Sequence, residues 1–210
     1  MTRRRHLVIF AKAPRLGQVK RRLAAGIGAS NALRFYRNNT ARLLRRVARD
    51  RRWRCWLAIT PDRAAHGSRF WRSGCERLPQ GRGDLGRRMA RPFAILPPGP
   101  VVIVGSDIPD IAPHHIATAF RLLARSDFVL GAATDGGYWL FGSRRRPLPR
   151  GVFAYVRWSS EHALADTLAS LPPRSDVAFA ATLHDIDDAA AYRRWHAISR
   201  RPSDAPAGAA

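Results

Sequence analysis

Short apolar runs alternate along the chain with stretches in which apolar residues recur at helical spacing. The clearest runs cover residues 7–11, 56–60, 101–105 and 128–132, and a weaker one covers 177–181. Branched aliphatics bounded by turn residues are typical of strands that are buried on both faces. Strands that alternate with helices predict a three-layer α/β/α sandwich with a mostly parallel central sheet.

The intervening segments predict helices with recognisable starts. One helix is expected from Ser30, as its N-cap, to about Arg49, and another follows Asp84 with Leu85, Met89, Phe93 and Leu96 on one stripe. Asp and Ser are favoured caps because their side chains accept free N–H groups of the first turn. A later helix follows Trp158, and a last one runs through Trp195.

The chain has 210 residues and no composition shift that would divide it. We therefore expect one domain over residues 1–201, followed by a disordered tail at 202–210. The sequence has neither an apolar run of the roughly 20 residues that a membrane span needs nor a signal-peptide pattern. It predicts a cytoplasmic protein, in which Cys55 is an ordinary buried thiol.

The formal net charge is +22, which would attract nucleic acid non-specifically. The arginines are scattered over many segments, however, and no known RNA- or DNA-binding signature accompanies them. A solvated basic surface is the simpler interpretation, and anionic small substrates are compatible with it. An arginine-rich RNA-binding protein remains an alternative.

Acidic residues follow two of the predicted strands. Asp107 lies just after the run at 101–105, and Asp135 lies just after the run at 128–132. Ligands of open α/β sheets bind at the carboxyl ends of the strands. Asp107 is the best first ligand for Mg²⁺ or Mn²⁺, with Asp185 or Asp187 as a second. The alternatives are helix caps, formed by Asp107 before Pro113 and by Asp187 or Asp188 before the last helix.

Three cations, Lys12, Arg15 and Lys20, stand on a loop broken by proline and glycine after the first strand. Such a loop can hold phosphate, although it is not a P-loop, and the alternative is a solvated basic turn. Residues 81–86 spell G-x-G-x-x-G, but the preceding residues 75–79 are charged and broken by proline. We therefore expect no dinucleotide fingerprint there, and we expect the glycines to let the loop approach a ligand.

Asp135, Gly136 and Gly137 could form a plain hairpin turn. Their place at a strand end, directly before Tyr138 and Trp139, equally suits a carboxylate and aromatic faces presented to a hydroxylated ligand.

Taken together, these segments resemble the DUF2064 family of glycosyltransferase-A-like bacterial proteins, which are related to nucleotide-diphospho-sugar transferases and phospholactate guanylyltransferases. The resemblance runs from Leu7 to Trp195. Two departures are visible, Arg21 in place of a threonine and Ile108 in place of a serine. The matching segments are Phe10-Ala11-Lys12-Ala13-Pro14, Gly17, Val19-Lys20, Gln80, Gly83-Asp84-Leu85-Gly86, Arg88-Met89, Gly105-Ser106-Asp107, Pro109-Asp110, Asp135-Gly136-Gly137-Tyr138, Trp158-Ser159 and Asp185-Ile186-Asp187.

The resemblance implies a GT-A fold in which Asp107, with Asp187, holds Mg²⁺ or Mn²⁺ against a nucleotide diphosphate. It places a set of residues on the nucleotide and its phosphates, namely Lys12, Arg15, Lys20, Gln80, Asp84 and Arg88. Asp135 would act on the transferred sugar or the acceptor, and as the base in an inverting transfer. Gly136, Gly137, Tyr138 and Trp158 would bind the acceptor or sugar.

Two enzymatic functions follow from this resemblance. The first is a metal-dependent glycosyltransferase that uses a nucleotide-sugar donor and a small-molecule acceptor. The second is a nucleotidyltransferase that joins a nucleoside triphosphate to a phosphorylated small molecule.

Overall fold

A computed structural model describes residues 4–67, 74–144 and 146–199. Within these residues the chain forms one seven-stranded sheet in the order β3-β2-β1-β4-β6-β5-β7, and β6 alone runs antiparallel to its neighbours. The strands are β1 His6–Lys12, β2 Arg54–Thr60, β3 Glu76–Pro79, β4 Val101–Gly105, β5 Phe128–Ala133, β6 Tyr138–Ser143 and β7 Val177–Leu183.

Helices cover both faces of this sheet, which confirms the predicted three-layer α/β/α architecture. They are α1 Arg21–Ile27, α2 Ala29–Val47, α3 Arg63–Gly67, α4 Leu85–Ile95, α5 Pro113–Leu122, α6 Ala163–Ala169 and α7 Ala189–Ser199.

Two apolar cores follow from the alternation of side chains along each strand. On β1, Leu7 and Ile9 pack in the core that includes α2 and α5, whereas Val8 packs in the core that includes α4. A third cluster around Leu23 and Phe35 joins α1, α2 and α7. Helix α7 is thereby held against α1 and α2, which brings the segment after β7 close to the loop after β1.

The helix predicted with Ser30 as its N-cap has its N-cap two residues earlier, so the predicted cap is wrong. Gly28 is the N-cap of α2, with φ 85° and no side-chain hydrogen bond, because α1 ends directly before it. Helix α1 was not predicted. The predicted cap of α4 is confirmed, since Asp84 Oδ1 accepts a hydrogen bond from the Arg87 N–H at 2.8 Å.

The segment before the glycine motif is a strand, although its charged residues and its proline did not indicate one. Residues 76–79 form the edge strand β3, parallel to β2. Strand β3 brings Cys75 beside Cys55, and the two form a disulfide with a Cα–Cα distance of 4.7 Å. Cys55 is therefore not a free thiol. The spacing of the cysteines along the sequence did not show that Cys75, directly before β3, lies beside Cys55 on β2.

Single-domain organisation over residues 1–201 stays a prediction, and the tail at 202–210 lies outside the described residues. Among the residues described, no helix combines the length and the apolar character that crossing a bilayer requires.

We expect Asp84→Ala to lower the free energy of unfolding by about 1 kcal/mol, because it removes the side-chain acceptor at the N-terminus of α4. Chemical denaturation of the purified variants measures this loss. Asp84→Asn is the matched control, since asparagine caps equally well, and equal losses in both variants would contradict a capping role.

Candidate functional site

The four acidic residues singled out from the sequence meet at one edge of the sheet. Strands β1, β4, β5 and β7 are mutually aligned, so their carboxyl ends lie together, and the antiparallel β6 starts at the same edge. A cavity of about 700 Å³ opens there. Its lining includes Asp107, Asp135, Asp185 and Asp187.

Lys20 ties two of these acids together. Its ammonium lies 3.1 Å from Asp107 Oδ1 and 2.6 Å from Asp187 Oδ1, and its side chain is only 5% exposed. Burial by itself would lower the pKa of Lys20, but the charges of Asp107 and Asp187 outweigh that effect and raise the pKa. Lys20 is therefore a permanent cation at the edge of the sheet.

Buried polar contacts fix the loop that carries Asp107. The Tyr36 hydroxyl accepts from the Lys12 N–H at 2.7 Å, donates to the Lys12 carbonyl at 2.9 Å, and lies 3.4 Å from Ser106 Oγ. Asn39 donates to the Ser106 carbonyl at 2.8 Å. Burial and the charge of Asp107 raise the pKa of Tyr36, so its hydroxyl stays protonated. Helix α2 thus holds the ends of β1 and β4 in register. Asp107 does not cap the next helix, as the sequence had left open, because the N-cap of α5 is Ala112.

The remaining acids form a compact cluster. Asp135, Asp185 and Asp187 each offer a carboxylate oxygen, and these atoms lie within 4.8 Å of one another. Burial, followed by the charges of Asp187 and Asp135, raises the pKa of Asp185 to about 6. Burial opposes ionisation of Asp187 too, but Lys20 outweighs it and lowers the pKa of Asp187. Asp107 is outside this cluster and is connected to it through Lys20.

Two neighbouring residues of the acidic run after β7 have different roles. Asp188 Oδ1 accepts the Ala191 N–H at 2.8 Å and so caps α7, while Asp187 faces the cavity. The sequence left Asp187 and Asp188 as alternative caps of this helix, and in the structure Asp188 is the cap.

The segment 134–137 is the turn of the β5–β6 hairpin, and it also reaches the cavity. The Gly137 N–H donates to Asp135 Oδ1 at 2.9 Å, which orients the carboxylate. Gly136 has φ 83°, and a Cβ there would lie 2.2 Å from the Glu161 carbonyl oxygen. Only glycine allows the turn to pack this closely on the segment before α6. Gly137 lines the cavity, whereas Gly136 packs on Glu161 and is not part of the lining.

The residues predicted to bind the nucleoside lie beside the cavity rather than in its lining. The buried Gln80 amide donates to the carbonyls of Ala11 and Ala58 and so links the ends of β1 and β2. Its Oε1 accepts from Arg88 at 3.1 Å, and Arg88 also donates to the Asp84 carbonyl. The Gln80 and Arg88 polar groups are thus engaged with the protein. Lys12 is exposed at the end of β1, Arg15 is half-buried on the loop that follows, and neither lines the cavity.

The glycines of residues 81–86 approach protein side chains. A Cβ at Gly83 would meet Arg87, and a Cβ at Gly86 would lie 2.9 Å from the Trp158 ring. Gly86 therefore lets α4 pack directly on the segment that carries Trp158.

An apolar wall faces the acidic rim, and sequence reasoning assigned most of it to the core. Phe10, Leu85 and Met89 line the cavity together with Tyr138 and Trp158. The Tyr138 and Trp158 ring centroids are 6.4 Å apart at 65°. The helical stripe of α4 predicted that Leu85 and Met89 are buried, but it gave no signal that they border a cavity.

Arg22 and Glu161 also line the cavity and were missed. Arg22 Nη1 lies 4.0 Å from Asp187 Oδ2, and its position two residues after Lys20 was the signal available for it.

We expect Asp185→Asn to stabilise the metal-free protein above pH 6 by about 1 to 2 kcal/mol after solvent screening. The folded state raises the pKa of Asp185 to about 6. Ionisation therefore costs stability at higher pH, and the benefit of Asn should vanish as the pH falls towards the unfolded value near 4. Urea unfolding in EDTA across this range measures the effect, and a pH-independent gain would contradict the assignment.

Comparison with solved structures places the fold among transferases. A protein from Desulfovibrio desulfuricans G20, provisionally named a nucleotide-diphospho-sugar transferase, is 25% identical at a TM-score of 0.80, covering 95% of this chain and 89% of that one. The 4-diphosphocytidyl-2C-methyl-D-erythritol synthase of Anaerococcus prevotii DSM 20548 is 10% identical at a TM-score of 0.56, covering 95% and 99%. Glucosyl-3-phosphoglycerate synthase from Mycobacterium tuberculosis, in complex with Mn²⁺, UDP and glucosyl-3-phosphoglycerate, is 13% identical at 0.53, covering 95% and 77%.

A search of the curated proteins found no match. Residues 43–160 match the family described as uncharacterized protein conserved in bacteria, DUF2064. This match spans more than half of the chain and includes Asp107, Asp135 and Trp158. The chain therefore belongs to the DUF2064 family, with a fold of the nucleotide-diphospho-sugar transferase type.

Proposed function

We propose that the protein is a divalent-metal-dependent transferase that moves a sugar from a nucleotide-sugar donor to a small-molecule acceptor. The observation that carries this proposal is the convergence of Lys20, Asp107 and Asp187 beside one cavity at the carboxyl edge of the sheet. A cation and carboxylates in contact can hold a diphosphate together with its metal ion, because the site offers charges of both signs to the anion and to its counterion.

The acidic residues suit a hard divalent cation. Their ligand atoms are all carboxylate oxygens, which Mg²⁺ and Mn²⁺ prefer, and three of them lie within 4.8 Å of one another. Burial, followed by the charges of Asp187 and Asp135, raises the pKa of Asp185, and a bound cation would favour its ionised form. We assign Asp187 and Asp185 as ligands of the ion, and Asp107, the first ligand predicted from the sequence, is joined to Asp187 through Lys20. When bound, such an ion would neutralise charge on the diphosphate.

The basic residues would act on the phosphates of the donor. Lys20 is already held at the site by Asp107 and Asp187, so it needs no large side-chain ordering when the ligand binds. Arg22 reaches the same region from the first turn of α1. Lys12, at the end of β1, and Arg15, on the following loop, would extend the positive electrostatic potential towards the nucleoside of the donor. Preorganised cations stabilise a departing diphosphate because they are in place before its charge develops.

Asp135 is the carboxylate best placed to serve the acceptor. In the proposed transfer the acceptor hydroxyl oxygen forms a bond to the anomeric carbon, and the bond from that carbon to the diphosphate oxygen breaks. The nucleoside diphosphate leaves with the bonding electron pair, and Asp135 takes the hydroxyl proton. The Gly137 N–H holds Asp135 Oδ1, which leaves the other oxygen for the proton.

The likeness to known transferases supports the class of reaction. The Desulfovibrio protein is similar over nearly the whole chain, and its provisional name is that of an enzyme using nucleotide-diphospho-sugars. The complex of glucosyl-3-phosphoglycerate synthase contains Mn²⁺ and UDP on the same fold. At 13% identity this second likeness supports the fold, and the assignment of the metal rests on the carboxylates of this chain.

Nucleotidyl transfer is the second candidate, because Lys20 could grip a triphosphate as well as a diphosphate. The two reactions release different products. A glycosyltransferase frees a nucleoside diphosphate from a nucleotide sugar, whereas a nucleotidyltransferase frees pyrophosphate from a nucleoside triphosphate. An RNA-binding protein would release neither of these products, and its binding through the basic surface would not depend on any of the four acids.

We expect Asp187→Asn to weaken Mn²⁺-dependent binding of UDP at least about tenfold, which corresponds to about 1.4 kcal/mol. Asp188→Asn is a matched control, since it removes the same charge one residue away but keeps an effective helix cap. Isothermal titration calorimetry with and without Mn²⁺ makes the comparison. Equal losses in the two variants, or no loss in Asp187→Asn, would remove Asp187 from the site.

We expect the wild-type protein to hydrolyse or transfer from a nucleotide sugar and to release a nucleoside diphosphate in the presence of Mn²⁺. A panel of UDP-, GDP- and dTDP-sugars, assayed by chromatography of the nucleotide product, tests this. Release of pyrophosphate from triphosphates, with nucleotide sugars left intact, would establish nucleotidyl transfer instead.

A further inference from the structure

The charge of the cavity is opposite to that of the protein. The chain carries 37 Lys and Arg against 15 Asp and Glu. Yet the described residues that line the cavity include five carboxylates, those of Asp107, Asp135, Glu161, Asp185 and Asp187, and one basic side chain, that of Arg22. A third of all the acids of the chain therefore surround one cavity, although acids are the scarcer charge.

The basic groups near this rim are already engaged by protein carboxylates. Lys20 contacts Asp107 and Asp187, and Arg22 lies 4.0 Å from Asp187. One metal ion and these two cations suffice for the donor diphosphate. Asp135 and Glu161 also line the cavity and have no arginine or lysine partner among the described residues.

The basic residues on the elements around the apolar wall are turned to other partners. Arg88 of α4 donates to Gln80 and to the Asp84 carbonyl. Arg157, just before Trp158, forms a bidentate pair with Asp166 at 2.8 and 2.9 Å. Arg87 and Arg91 stand two residues on either side of Met89, on the opposite face of α4, where they lie against Gly83 and Gly81. Among the described residues, this wall thus presents no lysine or arginine to a second phosphate.

The wall instead presents apolar and aromatic surface. Phe10, Leu85 and Met89 come from β1 and α4, and Tyr138 and Trp158 meet edge to face above them. The Tyr138 hydroxyl donates to Met89 Sδ at 3.9 Å and accepts from Thr167 at 3.3 Å, so it is committed to the protein. The indole N–H of Trp158, by contrast, makes no hydrogen bond within the described part of the chain. Such a surface favours a flat ring with a hydroxyl group.

We propose that the acceptor is a neutral or cationic aromatic alcohol or phenol, and not a phosphorylated or carboxylated metabolite. Its ring would pack on Tyr138 and Trp158, and its hydroxyl would face Asp135. An added phosphate would meet Asp135 and Glu161, which have no lysine or arginine partner among the described residues, and this costs binding energy through repulsion and desolvation. This inference rests on the proposed transferase function and names the chemical class of its acceptor.

Three probes that share one scaffold and differ in charge test the proposal, namely tyrosol, tyramine and tyrosol phosphate. Their dissociation constants are measured by saturation-transfer NMR on the full chain with Mn²⁺ and UDP bound, and phospholactate serves as a phosphorylated probe without a ring. We expect tyrosol and tyramine to bind at least about tenfold more tightly than either phosphate. Tightest binding by a phosphorylated probe, or no binding by any aromatic probe, would overturn the proposal.

Variants separate the wall from the rest of the fold. Trp158→Ala should weaken tyrosol and tyramine at least about fivefold, while leaving the affinity for Mn²⁺ and UDP unchanged. Tyr155→Ala is the matched control, because Tyr155 is fully exposed and does not line the cavity. Asp135→Asn should reduce the affinity for tyramine more than that for tyrosol. Equal effects of Trp158→Ala and Tyr155→Ala, or an Asp135→Asn variant that treats both probes alike, would contradict the assignment.

The nucleotide measurement keeps this inference apart from the function on which it rests. If UDP fails to bind with Mn²⁺, the proposed transferase function is lost. If UDP binds as expected but the aromatic probes do not, the acceptor class alone is wrong.

Discussion

The site depends on one buried ammonium between two carboxylates. Lys20 contacts Asp107, after β4, and Asp187, after β7, a partner 167 residues away in the chain. A buried lysine without partners would be costly, and so would two carboxylates that face each other without a cation. The buried ammonium therefore depends on both carboxylates, and their contact brings the loops after β1, β4 and β7 to one place.

The surrounding structure holds this contact by means that are not catalytic. Tyr36 and Asn39, both on α2, hold the ends of β1 and β4 through Lys12 and Ser106. Gln80 links β1 to β2 in the same way. Because these polar groups are buried and bonded to backbone atoms, they fix the strand ends in position before any ligand arrives. The sheet determines the geometry of the cavity, and residues on the loops supply its charge.

The distribution of charge links fold to function. Basic residues outnumber acidic ones in the chain by more than two to one, yet a third of the acids line the cavity where four strand ends meet. In the proposed function a divalent cation and an anionic nucleotide bind there together, because each compensates charge that the other meets. The same lining includes apolar and aromatic side chains, on which the proposed uncharged or cationic acceptor would pack.

The sequence by itself determined the architecture, the start of α4 at Asp84 and the place of Asp107 and Asp135 at strand ends. These features depend on periodicity and on capping within a few residues, so local patterns suffice. Only the tertiary structure decided that Lys20 binds Asp107 and Asp187, that Asp188 rather than Asp187 caps α7, and that Gln80 and Arg88 bind each other. It also decided the pairing of Cys55 with Cys75. Strand order and register set such contacts between distant segments, and neither is encoded in the spacing of residues along one element.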